Sequence, residues 1–434
     1  MKKLYTLYIL IITQGLSLIG SRMSAIAVGL WLFQVKGSTT YLLLIPFFNE
    51  ITAVFFGGVA GIAVDRWKRK YAMIFGDLGQ AVGTILLFVS AFSNKLNIYL
   101  IYAAVIVQGV FTLFESIAAD AATTMMVPET HRDRVNAIKE MTFPLAGVIA
   151  PVVSGFLYVM IGIKGILIID FITFIVAVIV LIFVNIPDPE IQENLIQDKE
   201  SFAKELGIGF KYLLNAKGLF GLTIYVTFIN FMINGPLELV IPYVTKINGS
   251  SFILSIILGV MNLGAFIGAA IIAILKFKFT RVNTILLGIS ISAVMFLVFG
   301  IARMPLLLGV SLFILMMPLP IINAMFKSII QVKVPPRLQG RVFAAVAQIS
   351  NAIVPMSFVL TGFLVDNILE PAVASSKWKG ISFIIGSKPG SGISLILVLT
   401  GIIIMIVSLI VNNIASIKYV EERLANYEIK EDDI

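Results

Sequence analysis

The chain has 434 residues, 59% of them hydrophobic and 13% charged, with a formal charge of +8 and a mean hydropathy of +1.01. A soluble domain of this length needs far more polar residues to cover its surface, so lipid is the expected solvent and nucleic acid is not an expected partner. The absence of cysteine excludes a disulfide frame and a thiolate metal site, and a single histidine, His131, excludes a multi-histidine one.

The amino terminus, "MKKLYTLYILIITQGLSLIG", starts like a signal peptide, but its apolar run continues to Phe33 with no small-residue cleavage site. It reads as an uncleaved first span. About 20 apolar residues cross the bilayer core. Twelve stretches qualify: 4–33, 41–64, 71–92, 98–122, 141–161, 165–184, 219–244, 252–275, 284–301, 305–328, 342–365 and 393–417. They predict an all-α membrane protein. With the amino terminus inside, 22 of the 32 Lys and Arg fall on inner segments, 8 on outer loops, and Arg22 and Lys327 lie within the first and tenth spans. That asymmetry places both termini and the linker 185–218 on the cytoplasmic side. The linker carries Phe202, Leu206, Phe210 and Leu213 at helical spacing. It reads as an amphipathic helix on the inner membrane face, or as a solvated linker helix. Residues 418–434 read as a soluble, charged cytoplasmic tail.

The two halves repeat. At an offset of 207 residues, Val127, Pro128, Arg134, Val135 and Ala137 match Val334, Pro335, Arg341, Val342 and Ala344. In the same register, Gly155, Phe156 and Leu157 match Gly362, Phe363 and Leu364. Shared Pro, Arg and Gly in one register indicate two homologous six-helix halves, 1–184 and 219–417, the parallel-repeat layout of many transporters.

An ionisable group at the membrane centre costs about 2.5–3.5 kcal/mol on insertion scales, so it normally faces a partner or a wet cavity. Arg22 and Glu50 are equidistant in sequence from the turn at Lys36, which makes them a candidate buried charge pair. Asp77 and Glu115 flank the turn near Leu96 in the same way. Four spans carry polar residues at helical spacing. The first has Gln14, Ser17, Ser21 and Ser24; the fourth has Gln108, Thr112, Glu115, Ser116 and Asp120. The seventh has Thr223, Thr227, Asn230, Asn234 and Glu238; the tenth has Asn323, Lys327 and Gln331. From these stripes Gln14, Ser17, Ser21, Gln108, Thr112, Thr227, Asn230, Asn234 and Asn323 are candidates to line a substrate cavity. The alternative for the hydroxyls is bonding back to their own helix. Membrane acids can carry protons, because desolvation favours their neutral form. Glu115 and Asp120 are the first candidates, then Glu50 and Asp77. Asp170, in the sixth span, reads either as functional or as a structural hydrogen-bonding group. The repeat makes Asp120 and Lys327 equivalent positions of opposite charge, each about 10 Å above its inner Val-Pro turn. They are a candidate inner gate, or each has a separate partner.

Two motifs carry a family resemblance. The turn after the second span, "GIAVDRWKRK", resembles the signature loop of the major facilitator superfamily at Gly61, Asp65, Arg66, Arg69 and Lys70, with Lys68 where Gly is usual. In the fifth span, "AGVIAPVVSG" is similar to the small-residue signature of exporting branches at Ala146, Ala150, Pro151, Ser154 and Gly155. "IIDFITF", "VPPRLQGRVFAA" and the last outer loop resemble bacterial macrolide-efflux-type permeases. The resemblance implies a proton-driven secondary exporter of hydrophobic or amphiphilic drug-like molecules in the bacterial cytoplasmic membrane, working as a monomer by alternating access. It also implies a conformational latch between Asp65 and the helix that starts at Arg341. One departure matters: the Arg that many such exporters carry before a Gln-Gly pair is Val105 here, and Arg22 is the candidate replacement. No enzymatic role, cofactor or metal is expected, since no nucleophile–base–metal set and no phosphate-binding loop occur. The alternatives are an exporter or importer of a metabolite such as a siderophore or peptide on the same fold, or a non-transporting, lipid-handling membrane protein.

Overall fold

The computed structural model describes residues 2–92, 97–126, 132–184, 186, 202–274 and 280–424. Within them it leaves out the side chains of 2–7, 58, 61–62, 65–66, 90, 120–121, 123–126, 132–141, 143, 202–206, 273–274, 336–337, 340 and 376–377. The described residues form helices and no strands. The chain divides into two compact units, Met1–Ile191 with Val240–Leu263, and Gln192–Leu239 with Gly264–Ile434.

The first unit contains α1 (Lys2–Lys36), α2 (Thr39–Arg66), α3 (Arg69–Phe92), α4 (Ile98–Met126), α5 (Arg132–Phe183), α8 (Val240–Asn248) and the first part of α9 (Ser251–Ile274). Turn chemistry sets several ends. The Ser38 hydroxyl accepts from Tyr41 N and caps α2. Arg69 Nη1 donates to Val64 O at the end of α2, and Lys70 Nζ donates to Ile182 O, 2.7 Å away, at the end of α5. Two bases of the signature loop thus also cap helix carboxyl ends, where cations are favoured. α5 holds a 40-residue apolar segment, Pro144–Phe183, too long for one crossing. Gly162 divides it, with φ 64° and ψ −173°. Eleven helices among the described residues are long and apolar enough to cross a membrane. The divided one is long enough for two crossings. The Gly162 conformation is accessible to glycine almost alone. Gly162→Ala should cost about 1–3 kcal/mol, read as a lower unfolding temperature in detergent. An unchanged temperature would show that the break is not held there.

Among the described residues the core of this unit includes an apolar cluster of Met23, Ala27, Ala150 and Ile166 and two larger ones. One gathers Leu10, Val64, Met73, Ala118 and Leu181. The other gathers Val28, Leu32, Leu87, Ile101, Val105 and Leu167. On α1 the polar residues Gln14, Ser17 and Ser21 fall between them. Large apolar side chains cover the outside, Phe55 at 70% and Phe183 at 84% exposure among them. Only lipid tolerates so many without penalty.

The second unit contains α6 (Phe202–Asn215), α7 (Lys217–Leu237), the rest of α9, α10 (Arg281–Ile301), α11 (Pro305–Met316), α12 (Pro318–Lys333), α13 (Pro336–Ala352) and α14 (Val354–Leu364). The short α15 (Glu370–Ala372) and α16 (Ser382–Ile385) lead into α17 (Ser391–Asn412), followed by α18 (Ala415–Lys418) and α19 (Val420–Arg423). The prolines Pro236, Pro318 and Pro355 stand at or beside the α7, α11/α12 and α13/α14 breaks. Beside the first, the Ser357 hydroxyl donates to Phe231 O at 2.5 Å and accepts from Gly235 N at 2.9 Å. It thus engages both ends of one helical i→i+4 step.

Two expectations change here. The linker helix α6 does not give its apolar face to lipid alone. Leu213 is fully buried, Gly209 packs on the Arg341 carbonyl of α13, and Tyr212 Oη donates to Lys333 O at 3.1 Å. The tail is not wholly free either. Ile417 and Val420 are buried, and Glu421 binds Arg281 at 2.9 Å and Val282 N at 3.1 Å. An acid at the α10 amino terminus satisfies its exposed N–H groups. Residues 425–434 lie outside the described residues. The last predicted loop is partly ordered as well. Glu370 accepts from Gly390 N and Ile393 N at the start of α17, and Trp378 Nε1 donates to Gly386 O.

Candidate substrate and proton site

The first unit holds a cavity of about 450 Å³, open on one side. Its polar wall is Gln14, Ser17 and Ser21 on α1, Asp77 and Gln80 on α3, Thr112, Glu115 and Ser116 on α4, and Thr142 on α5. Leu10, Leu18, Met73 and Phe174 belong to its apolar wall. No Lys or Arg is among the described residues that line it. The volume suits a drug-sized group, and a mostly apolar wall with a few polar anchors is the usual build of a ligand pocket.

The α3–α4 contact brings the two acids to this cavity. Gly76 lies so close to α4 that a Cβ there would stand 2.6 Å from Glu115 Cβ and 2.7 Å from Glu115 N. Asp77, the next residue, is 1% exposed and accepts from Gln14 Nε2 at 3.1 Å. The α1 amide thus orients one of the two cavity acids. Beyond Ser21 a second polar set begins. Ser21 Oγ reaches Asp170 Oδ1 at 3.1 Å, Thr84 Oγ1 donates to Asp170 Oδ2 at 3.3 Å, and Gln108 Nε2 donates to Thr84 Oγ1 at 3.1 Å. This chain ties α1, α5, α3 and α4 together.

The structure therefore gathers Gln14, Ser17, Ser21, Asp77, Thr112 and Glu115, all chosen from periodicity and charge. Gln108 lies off this wall, with its amide on Thr84, and no stripe on the fourth span reveals a partner on the third. Glu50 is half-buried on α2 and is also absent from the wall. Arg22 sends its guanidinium toward α5, with Nη1 2.8 Å from where a Gly147 Cβ would stand, and Asn262 crowds the same point. Val105, at the missing Arg position, packs in an apolar cluster. Asp120, Gly61, Asp65 and Arg66 have side chains outside those described, so the gate and the latch lie there too.

In the second unit Thr227 is buried and donates to Thr223 O at 2.8 Å, with Ser350 Oγ at 3.3 Å. Asn234 donates back to Asn230 O at 2.7 Å. Asn323 and Lys327 are exposed on α12. Thr112 donates to Gln108 O and Ser116 to Leu113 O. Much of the predicted polar stripe thus bonds back to its own helix, the alternative reading of such residues. Gln80, Thr142 and Phe174 were missed. Gln80 sits one turn from Asp77 on the same face, a spacing that could have found it.

The small-residue run of α5 is a contact surface. Ala146 and Ala150 are buried, and Ser154 donates to Met23 O of α1 at 3.1 Å. Gly155, after buried Pro151 in the same run, leaves no room for a Cβ against the Ser255 side chain of α9.

The sequence profile of the Major Facilitator Superfamily matches residues 10–359. Macrolide efflux protein A of Streptococcus pyogenes is 24% identical over 370 residues, 84% of this chain and 90% of that protein. The protein of the same name from Enterococcus faecalis is 24% identical over 308 residues, 69% of this chain and 94% of that one. Among solved structures, a bacterial homolog of the human lysosomal transporter Spinster, inward-facing and unoccupied, has the same fold, with a TM-score of 0.75 at 14% identity over 98% of each chain. Helices long enough to span lipid, a polar cavity inside one unit and a profile match over most of the sequence lead to one conclusion: the chain belongs to the Major Facilitator Superfamily and is a multi-pass membrane transporter.

Proposed function

We propose that this transporter is a proton-coupled exporter of hydrophobic or amphiphilic drug-like molecules in the bacterial cytoplasmic membrane, with both termini on the cytoplasmic side and the monomer as working unit. Its two six-helix halves alternate access to the site. The observation that carries this reading is the cavity that holds Asp77 and Glu115 in a mostly apolar wall. Two acids in an apolar pocket select a protonated amine on a greasy body, or a proton in its absence. Competition between the two cations is the simplest form of antiport. The similarity to macrolide efflux proteins agrees with that cargo class. Asp120 with Lys327 remains the proposed inner gate, and Asp65 with Arg341 the proposed latch.

The test is efflux from vesicles of a panel of macrolides and cationic dyes, with the proton gradient collapsed partway. Efflux should stop on collapse. Transport that continues unchanged would sink proton coupling, and a panel in which no member moves would sink the cargo class.

A further inference from the structure

Asp170 is fully buried on α5, and it is not on the cavity wall. Its carboxylate receives hydroxyls from two other helices, Ser21 on α1 and Thr84 on α3. Ser24, one turn beyond Ser21, brings a buried hydroxyl toward the same carboxylate without hydrogen-bond geometry. α1 comes this close because Gly20 faces Thr173 and Asp170, whose Cα and Oδ1 lie 3.3 Å from where a Cβ would stand.

Ser21 has one hydroxyl proton and two acceptors at equal distance. Ser17 O and Asp170 Oδ1 are each 3.1 Å from its Oγ. When Asp170 is ionised, Ser21 donates to it. When Oδ1 is protonated, the acid donates to Ser21 Oγ and the Ser21 hydroxyl turns to Ser17 O. Neither state leaves a buried donor unpaired at this position, so neither pays the cost of an orphaned polar group. Ser21 also lines the cavity. A proton from cavity water can therefore reach Oδ1 through one reorienting hydroxyl. The hydrated proton passes to Ser21 Oγ as Ser21 passes its own proton to Asp170 Oδ1, so two O–H bonds break, two form, and neutral water is left in the cavity.

Among the described side chains, the charged groups away from the ends of the surrounding helices are Arg22 on α1, Asp77 on α3 and Glu115 on α4. Asp77 and Glu115 are each seven residues, about 10 Å, from Thr84 and Gln108 respectively. On α5 itself, Lys164 lies over the Phe92 ring, 5.3 Å from its centroid. The direct hydrogen-bond partners of the Asp170 carboxylate are hydroxyls.

We propose that Asp170 is a second proton-binding site, reached from the cavity through Ser21, whose occupancy reverses the hydrogen bond between α1 and α5. The proposal rests on the proton-coupled reading above for its role in transport, but its test does not. Infrared difference spectra of the purified protein, taken across a pH titration in detergent, report the carbonyl stretch of each protonated carboxylic acid. Wild type should show a titrating band that Asp170→Asn loses and that Asp77→Asn and Glu115→Gln keep. Ser21→Ala and Thr84→Val should retain the band but move its position, since each removes a hydrogen-bond partner of the acid. Those two variants also serve if Asp170→Asn does not fold. Titrations that match wild type in all three variants would overturn the proposal. A band lost with Asp170 alone and untouched by Ser21→Ala would overturn the route through Ser21. Proton-independent efflux alongside a titrating Asp170 band would instead overturn only the antiport reading.

Discussion

Asp77→Asn should cut gradient-driven efflux of a cationic dye by about 10-fold to 100-fold and leave folding nearly unchanged. The substitution keeps the shape and keeps an oxygen to accept from Gln14 Nε2, now 3.1 Å from Oδ2. What it removes is the titratable charge. A hydrogen bond to a charged group contributes about 1.5–3 kcal/mol, and each 1.4 kcal/mol is about tenfold in affinity. Glu115→Gln should act in the same direction, because both acids belong to one cavity wall. Glu50→Gln is the contrast. Glu50 is half-buried on α2 and outside that wall, so its loss should reduce efflux less than loss of Asp77 does. Measurement needs initial efflux rates in vesicles at matched protein amounts, with thermal unfolding in detergent as the check on folding. Equal loss in Glu50→Gln and Asp77→Asn would remove the cavity as the coupling site.

These acids were legible in the sequence for a simple geometric reason. Antiparallel neighbours joined by a short turn place residues equidistant from that turn at similar depth, and Asp77 and Glu115 obey this about Leu96. Gln14, Ser17, Ser21 and Thr112 were legible because a helix puts i, i+3, i+4 and i+7 on one face. The same rule gave Gln108, but the face of a helix does not say which neighbour satisfies it. Thr84 does so here. Docking of α6 was hidden for a related reason, since an amphipathic stripe reads alike for a lipid surface and for α13. Asp170 was visible as a membrane acid, but its two competing hydrogen-bond states depend on Ser17 and Ser21 of a helix about 150 positions away in sequence.

Gly76→Ala should both destabilise the protein and disable it, although it adds a single methyl group. A Cβ at this site would stand 2.6, 2.7 and 2.9 Å from Glu115 Cβ, N and Cα. Two of those atoms are backbone, so no rotamer change relieves the clash and α3 must move away from α4. Overpacking of this kind costs about 1–3 kcal/mol. Ala normally favours a helix interior over Gly by roughly 0.5–1 kcal/mol, so any net loss understates the collision. The displacement also carries Glu115 away from Asp77, and a cavity that selects a cation by two acids loses that geometry. Transport should therefore fall further than stability alone accounts for. Gly57→Ala is the matched control. Gly57 lies inside α2 with nothing within 4 Å of its would-be Cβ, so alanine there should be neutral or slightly stabilising. Unfolding temperature and initial efflux rate are measured for both. If Gly76→Ala behaves like Gly57→Ala in both readouts, α3 and α4 do not approach this closely, and the paired acids lose the contact that positions them.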